Sequence, residues 1–462
     1  MSQKVHPYIP NMVPEVQAEM LKVIGAESIM ELYSCIPEEL QFKEEMKLPS
    51  SLTEYELRRH IEGILNKNTS TKENLNFLGA GCWQHFIPAV CDEINQRSEF
   101  LTAYAGEPYE DHGRFQALFE YQSLVAELVD MDVVNVPTFD WGQAAATAVR
   151  MAARITGRNR VLLAKSVAPE RSKIMINYGT PDLQFEFVQF DTQSGAMDLA
   201  DLTAKLTDDV AAVYFENPSY LGFIEAQGPV ISKLLKENDS LMVVGVDPIS
   251  LGVLAPPSHY GADIVCGDLQ PLGMHMNFSG GQAGFIATRD EVKFVQEYPS
   301  RLFGIVPTVK EGEYGFGDVA YERTSFALRE KGKESVGTQT ALWGITAGVY
   351  LALLGPEGMQ EVGQSIMQNS QYAVQQLNQL TGVTGSRLES PFFKEFIVDF
   401  NQSGLSVEQI NQRLLEKKIF GGKDLSQEFP EFGQSALFCV TEVHTKEDID
   451  HLVQSIKEIL TK

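Results

Sequence analysis

From about Asn76 onward, short runs of apolar, β-favouring residues alternate with longer stretches in which apolar positions recur at helical spacing. Strands are predicted at Val161–Ala164, Phe185–Val188, Ala211–Phe215, Leu241–Val246, Asp263–Val265 and Gly284–Ala287. Their nearly unbroken apolar character predicts burial on both faces, as in a mostly parallel sheet covered by helices. Between them, Leu199–Leu206 and Pro229–Glu237 carry the helical period, which makes a βα alternation. Upstream, Val13 to Leu57 reads as short helices broken by Pro37 and Pro49. Downstream, Thr338 to about Leu380 is long and helical, interrupted at Gly355-Pro356, before a tail with strands at Phe396–Phe400 and Ala436–Val440 and a last helix at Asp448–Leu460. The expected organisation is an N-terminal helical arm (1–70), a large α/β domain (71–335), and a linker helix with a smaller C-terminal α+β domain (336–462). The Gly304–Lys333 stretch reads as a loop-rich connector.

Composition narrows the partners. The 462 residues hold 37 Lys+Arg against 62 Asp+Glu, a net charge of −25, so the field around the chain repels nucleic-acid backbones and anionic lipid. Neither nucleic acid nor membrane is an expected partner. Met1 to Asn11 holds no apolar run of signal-peptide length, and Ala341–Leu354 falls short of a membrane span, so a cytoplasmic protein is expected. Cys35, Cys82, Cys91, Cys266 and Cys439 lack CxxC spacing and read as reduced thiols. No metal-ligand pattern occurs among the eight histidines; His444 precedes Thr445-Lys446-Glu447-Asp448, a helix-capping pattern.

Chemistry in a parallel α/β core collects beyond the carboxyl ends of its strands. Val136 to Thr147 reads as a turn into an Ala-rich helix start, where Asp140, Gly142 and Gln143 could bring backbone donors to an anion; close helix packing explains the small residues equally well. Asp247 ends an apolar strand, where pyridoxal-phosphate enzymes place a carboxylate against the ring nitrogen. A turn aspartate is the competing reading. The next strand runs into a turn rich in glycine that carries His275 and Asn277.

This order of elements resembles the fold-type-I (aspartate-aminotransferase-like) pyridoxal-phosphate enzymes. More narrowly, the chain resembles the alpha subunit of the split glycine decarboxylase, the P-protein of the glycine cleavage system. The resemblance is carried by Phe77–Gly81 with His85, Ile87–Val90, Ser98–Tyr104, Gln116–Gln122, Leu251–Pro257, Gly261–Val265, Gly267-Asp268 with Gln270-Pro271, Val349–Gly355, Pro391-Phe392-Phe393 and Thr441-Glu442, in order along the whole chain. It implies a heteromer in which a lysine-bearing beta subunit carries pyridoxal phosphate, glycine is decarboxylated and the aminomethyl group passes to the lipoyl H-protein. Gly261 to Thr288, where the family's Schiff-base lysine would lie, contains no lysine, and neither imidazole nor amide can replace that nucleophile. No catalytic residue is therefore expected in this chain. Asp140, Gly142, Gln143, Asp247, His275 and Asn277 stand as a vestigial or shared cofactor pocket, and His85, Tyr104 and Trp141 as substrate or interface candidates. Phe303, Phe316, Tyr321 and Phe326 are candidates for the subunit interface, core burial serving as well.

The chain departs from the family pattern at Ala105–Arg114, at Asp140–Ala146 and at Ser279–Gln282. Those departures keep open two alternatives: a divergent paralogue whose heteromer acts on another amino-acid-like substrate, and a non-catalytic binding or regulatory protein on a dead enzyme fold.

Overall fold

The computed structural model describes residues 8–9, 11, 13–44, 47–100, 114–277, 282–334 and 340–461. They divide into two compact units, 1–69 and 70–462. In the first, helices Pro14–Ile24 and Glu54–Leu65 are set by local signals. Proline and Glu15 occupy the first turn of one, and Gly25 ends it in the left-handed region. Thr53 and Glu56 form a capping box on the other.

The second unit is built on a seven-stranded sheet. Its strands in chain order are β1 (Val133–Val134), β2 (Arg160–Ala164), β3 (Gln184–Val188), β4 (Val210–Glu216), β5 (Leu241–Val246), β6 (Ile264–Asp268) and β7 (Gly284–Thr288). The spatial order is β1-β7-β6-β5-β4-β2-β3, with β2 through β6 parallel and β7 antiparallel to both its neighbours. This is the fold class expected, and each of the six predicted strands is found within a few residues of its expected limits. Every residue of β4, β6 and β7 is buried, because helices cover the sheet on both sides. The crossover helices Pro169–Gly179 and Gly228–Glu237 return the chain between parallel neighbours, while Leu199–Lys205 carries it from β3 across β2 to β4.

Ala341–Leu377 is one long helical segment kinked at Gly355, whose φ of 60° precedes Pro356. It leads to an antiparallel sheet of β8 (Glu395–Asp399), β9 (Lys423–Asp424) and β10 (Ser435–Cys439), in the order β8-β10-β9. Helices Val407–Glu416 and Lys446–Leu460 bury Ile410, Leu414, Leu452 and Ile456 into the same apolar cluster as Phe396, Val398 and Phe438. Thr445 and Asp448 form the anticipated capping box, and His444 accepts the Thr441 N–H at Nδ1 and donates from Nε2 to Asn76 O at 2.8 Å.

The Gly304–Lys333 stretch is not a plain connector. Phe303–Pro307 and Tyr314–Asp318 pair as an antiparallel hairpin, a period-2 pattern obscured in the sequence by Gly304, Gly315 and Gly317. Phe303 packs on Phe115 and Phe316 on Phe119, while Tyr321 and Phe326 are half-buried. The large apolar side chains this hairpin exposes are Ile305, Val306, Val309 and Tyr314. No helix among the described residues is long and apolar enough to cross a membrane.

One glycine joins the two sheets. Gly222 has φ 90°, and a Cβ there would lie 2.0 Å from the Glu395 carbonyl oxygen at the start of β8. Gly222→Ala combines left-handed strain with a backbone clash. It is expected to cost about 2–4 kcal/mol, read as a lower urea midpoint at unchanged slope.

Candidate functional site

Three adjacent strands end in buried acids: Glu216 closes β4, Asp247 follows β5 and Asp268 closes β6. Each buried carboxylate demands compensation. Glu216 receives a two-point contact from Arg171, Nε to Oε1 at 2.6 Å and Nη2 to Oε2 at 2.7 Å, with the Tyr214 hydroxyl donating to Oε1 at 3.2 Å. Asp268 accepts the N–H groups of Gln270 at 2.7 Å and Ala283 at 3.4 Å, yet burial pushes its carboxyl up to about 7. Asp247 is held by a lysine from the segment leading into the C-terminal sheet: Lys394 Nζ lies 2.7 Å from Oδ2, both side chains almost wholly buried.

Lys394 is the centre of a longer chain of contacts. Its Nζ lies 3.6 Å from the centroid of the Trp83 ring and 3.2 Å from His85 Nε2. An ammonium only donates, so His85 Nε2 is the acceptor and its proton sits on Nδ1, which faces Glu442 Oε2 at 2.8 Å. Burial works to raise the Glu442 carboxyl, but the adjacent His85 ring and the Phe86 N–H, at 2.8 Å, hold it down at about 2. Beside this chain Trp141 is buried, with the Arg171 guanidinium 3.9 Å from its ring centroid and Trp83 6.5 Å away. The space left among Trp83, Trp141, Arg171, Asp247 and Lys394 is about 10 Å³, room for no more than about one water.

The sequence candidates divide in three. His85, Trp141 and Asp247 meet in this cluster. Asp140 and Gly142 line a neighbouring cavity of about 330 Å³, while Gln143 caps its own helix. Asp140 is the N-cap of helix Trp141–Thr156, accepting the Gln143 N–H at 2.6 Å, and a Cβ on Gly142 would sit 2.6 Å from Ile174 Cδ1. Close packing therefore accounts for that glycine. His275 lies apart, exposed and paired with Asp92 at 3.0 Å, and Asn277 is an exposed residue at φ 44°. Tyr104 and the departures at 105–113 and 279–281 fall outside the described residues. Lys165 Nζ sits over the Phe187 ring at 5.0 Å rather than in the cluster.

Sequence reasoning did not find Lys394, Trp83, Arg171, Glu216 or Glu442 as site residues. The signals existed: Glu216 and Asp268 end apolar strands just as Asp247 does, and Lys394 follows directly on Pro391-Phe392-Phe393. The partnership of residues 147 positions apart, 394 − 247, is visible only in the fold.

The family model for the glycine cleavage system P-protein matches residues 6–456. The chain belongs to the glycine cleavage system P-protein family. A protein of Staphylothermus marinus named "Probable glycine dehydrogenase (decarboxylating) subunit 1" is 37% identical over 466 residues, covering 99% of each chain. A protein of Saccharolobus islandicus with the same name is 39% identical over 460 residues, covering 98% of each. Among solved structures, a glycine decarboxylase (P-protein) of the glycine cleavage system in inhibitor-bound form superposes with a TM-score of 0.84 at 31% identity, covering 99% of this chain and 100% of that one. A sphingosine-1-phosphate lyase of Burkholderia pseudomallei, with a TM-score of 0.65 at 14% identity, shares the fold alone.

The residues of this P-protein chain do not fit pyridoxal phosphate in the position its fold offers. The strand-end carboxylate is already engaged by Lys394, two indoles and a guanidinium occupy the volume of a ring, and Asp140 puts a carboxylate at the helix N-terminus that a phosphate would need. The two cations lining the neighbouring cavity are both spent, Arg171 on Glu216 and Lys423 on Glu428 at 2.9 Å.

The two displaced carboxyls give opposite pH signatures. Glu442 lies below its ordinary 4.5, so its contribution is complete above that value and is lost as pH falls toward 2. Glu442→Gln is expected to cost on the order of 2 kcal/mol at pH 6 and to converge on the parent only below about pH 2. Asp268 lies above its ordinary 3.8, so its ionisation destabilises the fold increasingly between about pH 4 and 7. Asp268→Asn is expected to match the parent near pH 4 and to exceed it at pH 8, measured by thermal melts across that range.

Proposed function

We propose that this chain is the lysine-free subunit of a two-chain glycine dehydrogenase (decarboxylating), supporting glycine decarboxylation and transfer of the aminomethyl group to the lipoyl H-protein. The reading rests on full-length likeness, at 37% and 39% identity, to relatives named as subunit 1 of that enzyme. It is supported by a fold whose own strand-end pocket is filled by Trp83, Trp141, Arg171 and Lys394. Pyridoxal phosphate is assigned to the partner, the beta subunit, whose lysine supplies the amine this chain does not place on the loop after β6. The cofactor's chemistry, an electron sink for the carbanion left as carbon dioxide departs, is then the partner's.

In this reading the present chain contributes a rigid scaffold and part of the wall around a site centred elsewhere. The departure at Trp141 belongs to the filling of the chain's own pocket. It thus carries no argument for a different substrate, and glycine is kept. The large, −25 net charge leaves the H-protein to be recognised through local contacts rather than through the overall field.

Reconstitution tests the assignment. The purified chain alone is expected to give no glycine-dependent exchange of labelled carbon dioxide, and the lysine-bearing subunit with lipoylated H-protein is expected to gain at least tenfold in exchange when this chain is added. Exchange at the same rate with and without this chain, or turnover by the mixture only with an amino acid other than glycine, contradicts it.

A further inference from the structure

Lys394 belongs to the segment entering β8 of the C-terminal sheet, yet its ammonium lies at the end of β5 in the large domain. Taking an ammonium out of water is costly unless its donors are met. Here its charge is balanced by an ion pair with the Asp247 carboxylate at 2.7 Å, it donates to His85 Nε2 at 3.2 Å, and the face of Trp83 lies 3.6 Å away. The other oxygen of Asp247 accepts the Ile249 N–H at 3.2 Å. The residue after the lysine is anchored as tightly, Glu395 accepting the Ala80 N–H at 2.6 Å while Gly79 and Gly222 close on it. The lysine is therefore held at a fixed depth by its own backbone as well as by its charge.

We infer that Lys394 is a resident counter-ion: it holds the place on Asp247 that a protonated ring nitrogen holds in fold-type-I enzymes, and so latches the C-terminal domain to the carboxyl ends of the central strands. The site is selective for a primary ammonium, because a carboxylate, an imidazole nitrogen and an indole face converge on one point. It goes beyond the proposed function, since it holds whatever substrate the heteromer takes. A lysine in this pocket could alternatively serve as a nucleophile toward an aldehyde, which requires the neutral amine. Lys394 Nζ is enclosed by Asp247, His85 and Trp83, and the space beside it holds no more than about one water, so an aldehyde carbon has no approach to it.

The test uses the full-length chain. Lys394→Ala removes three methylenes and the ammonium, the volume of n-propylammonium. The variant is expected to melt roughly 3–5 °C below the parent, the loss that follows from stranding a buried carboxylate in a chain of this length. n-Propylammonium chloride should recover at least half of that loss, and sodium chloride at equal ionic strength should not. The double variant Lys394→Met with Asp247→Asn removes both charges and should melt above the single variant; if the single variant does not fold, a folded double variant carries the same conclusion. Borohydride reduction of the parent with pyridoxal phosphate, followed by peptide mass analysis, should leave Lys394 unmodified. Equal melting of Lys394→Ala and parent, equal action of the two salts, a double variant no better than the single, or a reduced adduct on Lys394 would each overturn the inference.

Discussion

The contact between Lys394 and Asp247 constrains much of the surrounding structure. A carboxylate stands at the end of β5, and it cannot stay buried and charged without a cation. Supplying that cation from the residue before β8 fixes where that strand must start, which in turn requires Gly222 and Gly79 at the points of closest approach. It requires an acceptor at His85 and, behind it, Glu442 to hold the imidazole proton. Trp83 and Trp141 then close the remaining volume. Removing one partner of such a pair costs about 3–5 kcal/mol because it strands the other.

The three strand-end acids show how differently one chemical demand can be met. Glu216 is neutralised by a guanidinium in a planar two-point contact, Asp247 by an ammonium, and Asp268 by backbone donors together with a carboxyl pushed up to about 7. All three acids stand at the carboxyl ends of adjacent parallel strands. The charge of each acid is thus answered by this chain's own side chains or backbone.

Much of the fold was legible in the chain because apolar strands buried on both faces announce themselves locally. The six strands from Val161 to Ala287, the kink at Gly355-Pro356 and the capping box at Thr445 follow from short-range rules. The hairpin at Phe303–Asp318 was not, since its glycines erase the alternation. Of the candidate site, Asp247, His85 and Trp141 were visible as a strand-end acid, a motif residue and a departure. Their meeting was not, because Lys394 and Glu442 reach them from 147 and 357 positions away. His275 and Asn277 lay on the correct loop in sequence, but the loop turns their side chains outward, and His275 spends its ring on Asp92.

The proposed function is a division of labour between a lysine-bearing subunit that holds the cofactor and this chain, whose strand-end pocket is filled by its own side chains. That claim is most directly tested by counting coenzyme. Alkaline release and quantitation of pyridoxal phosphate from the assembled heteromer should give one equivalent per lysine-bearing subunit and none for this chain. A second equivalent, matching the number of copies of this chain, would contradict the account.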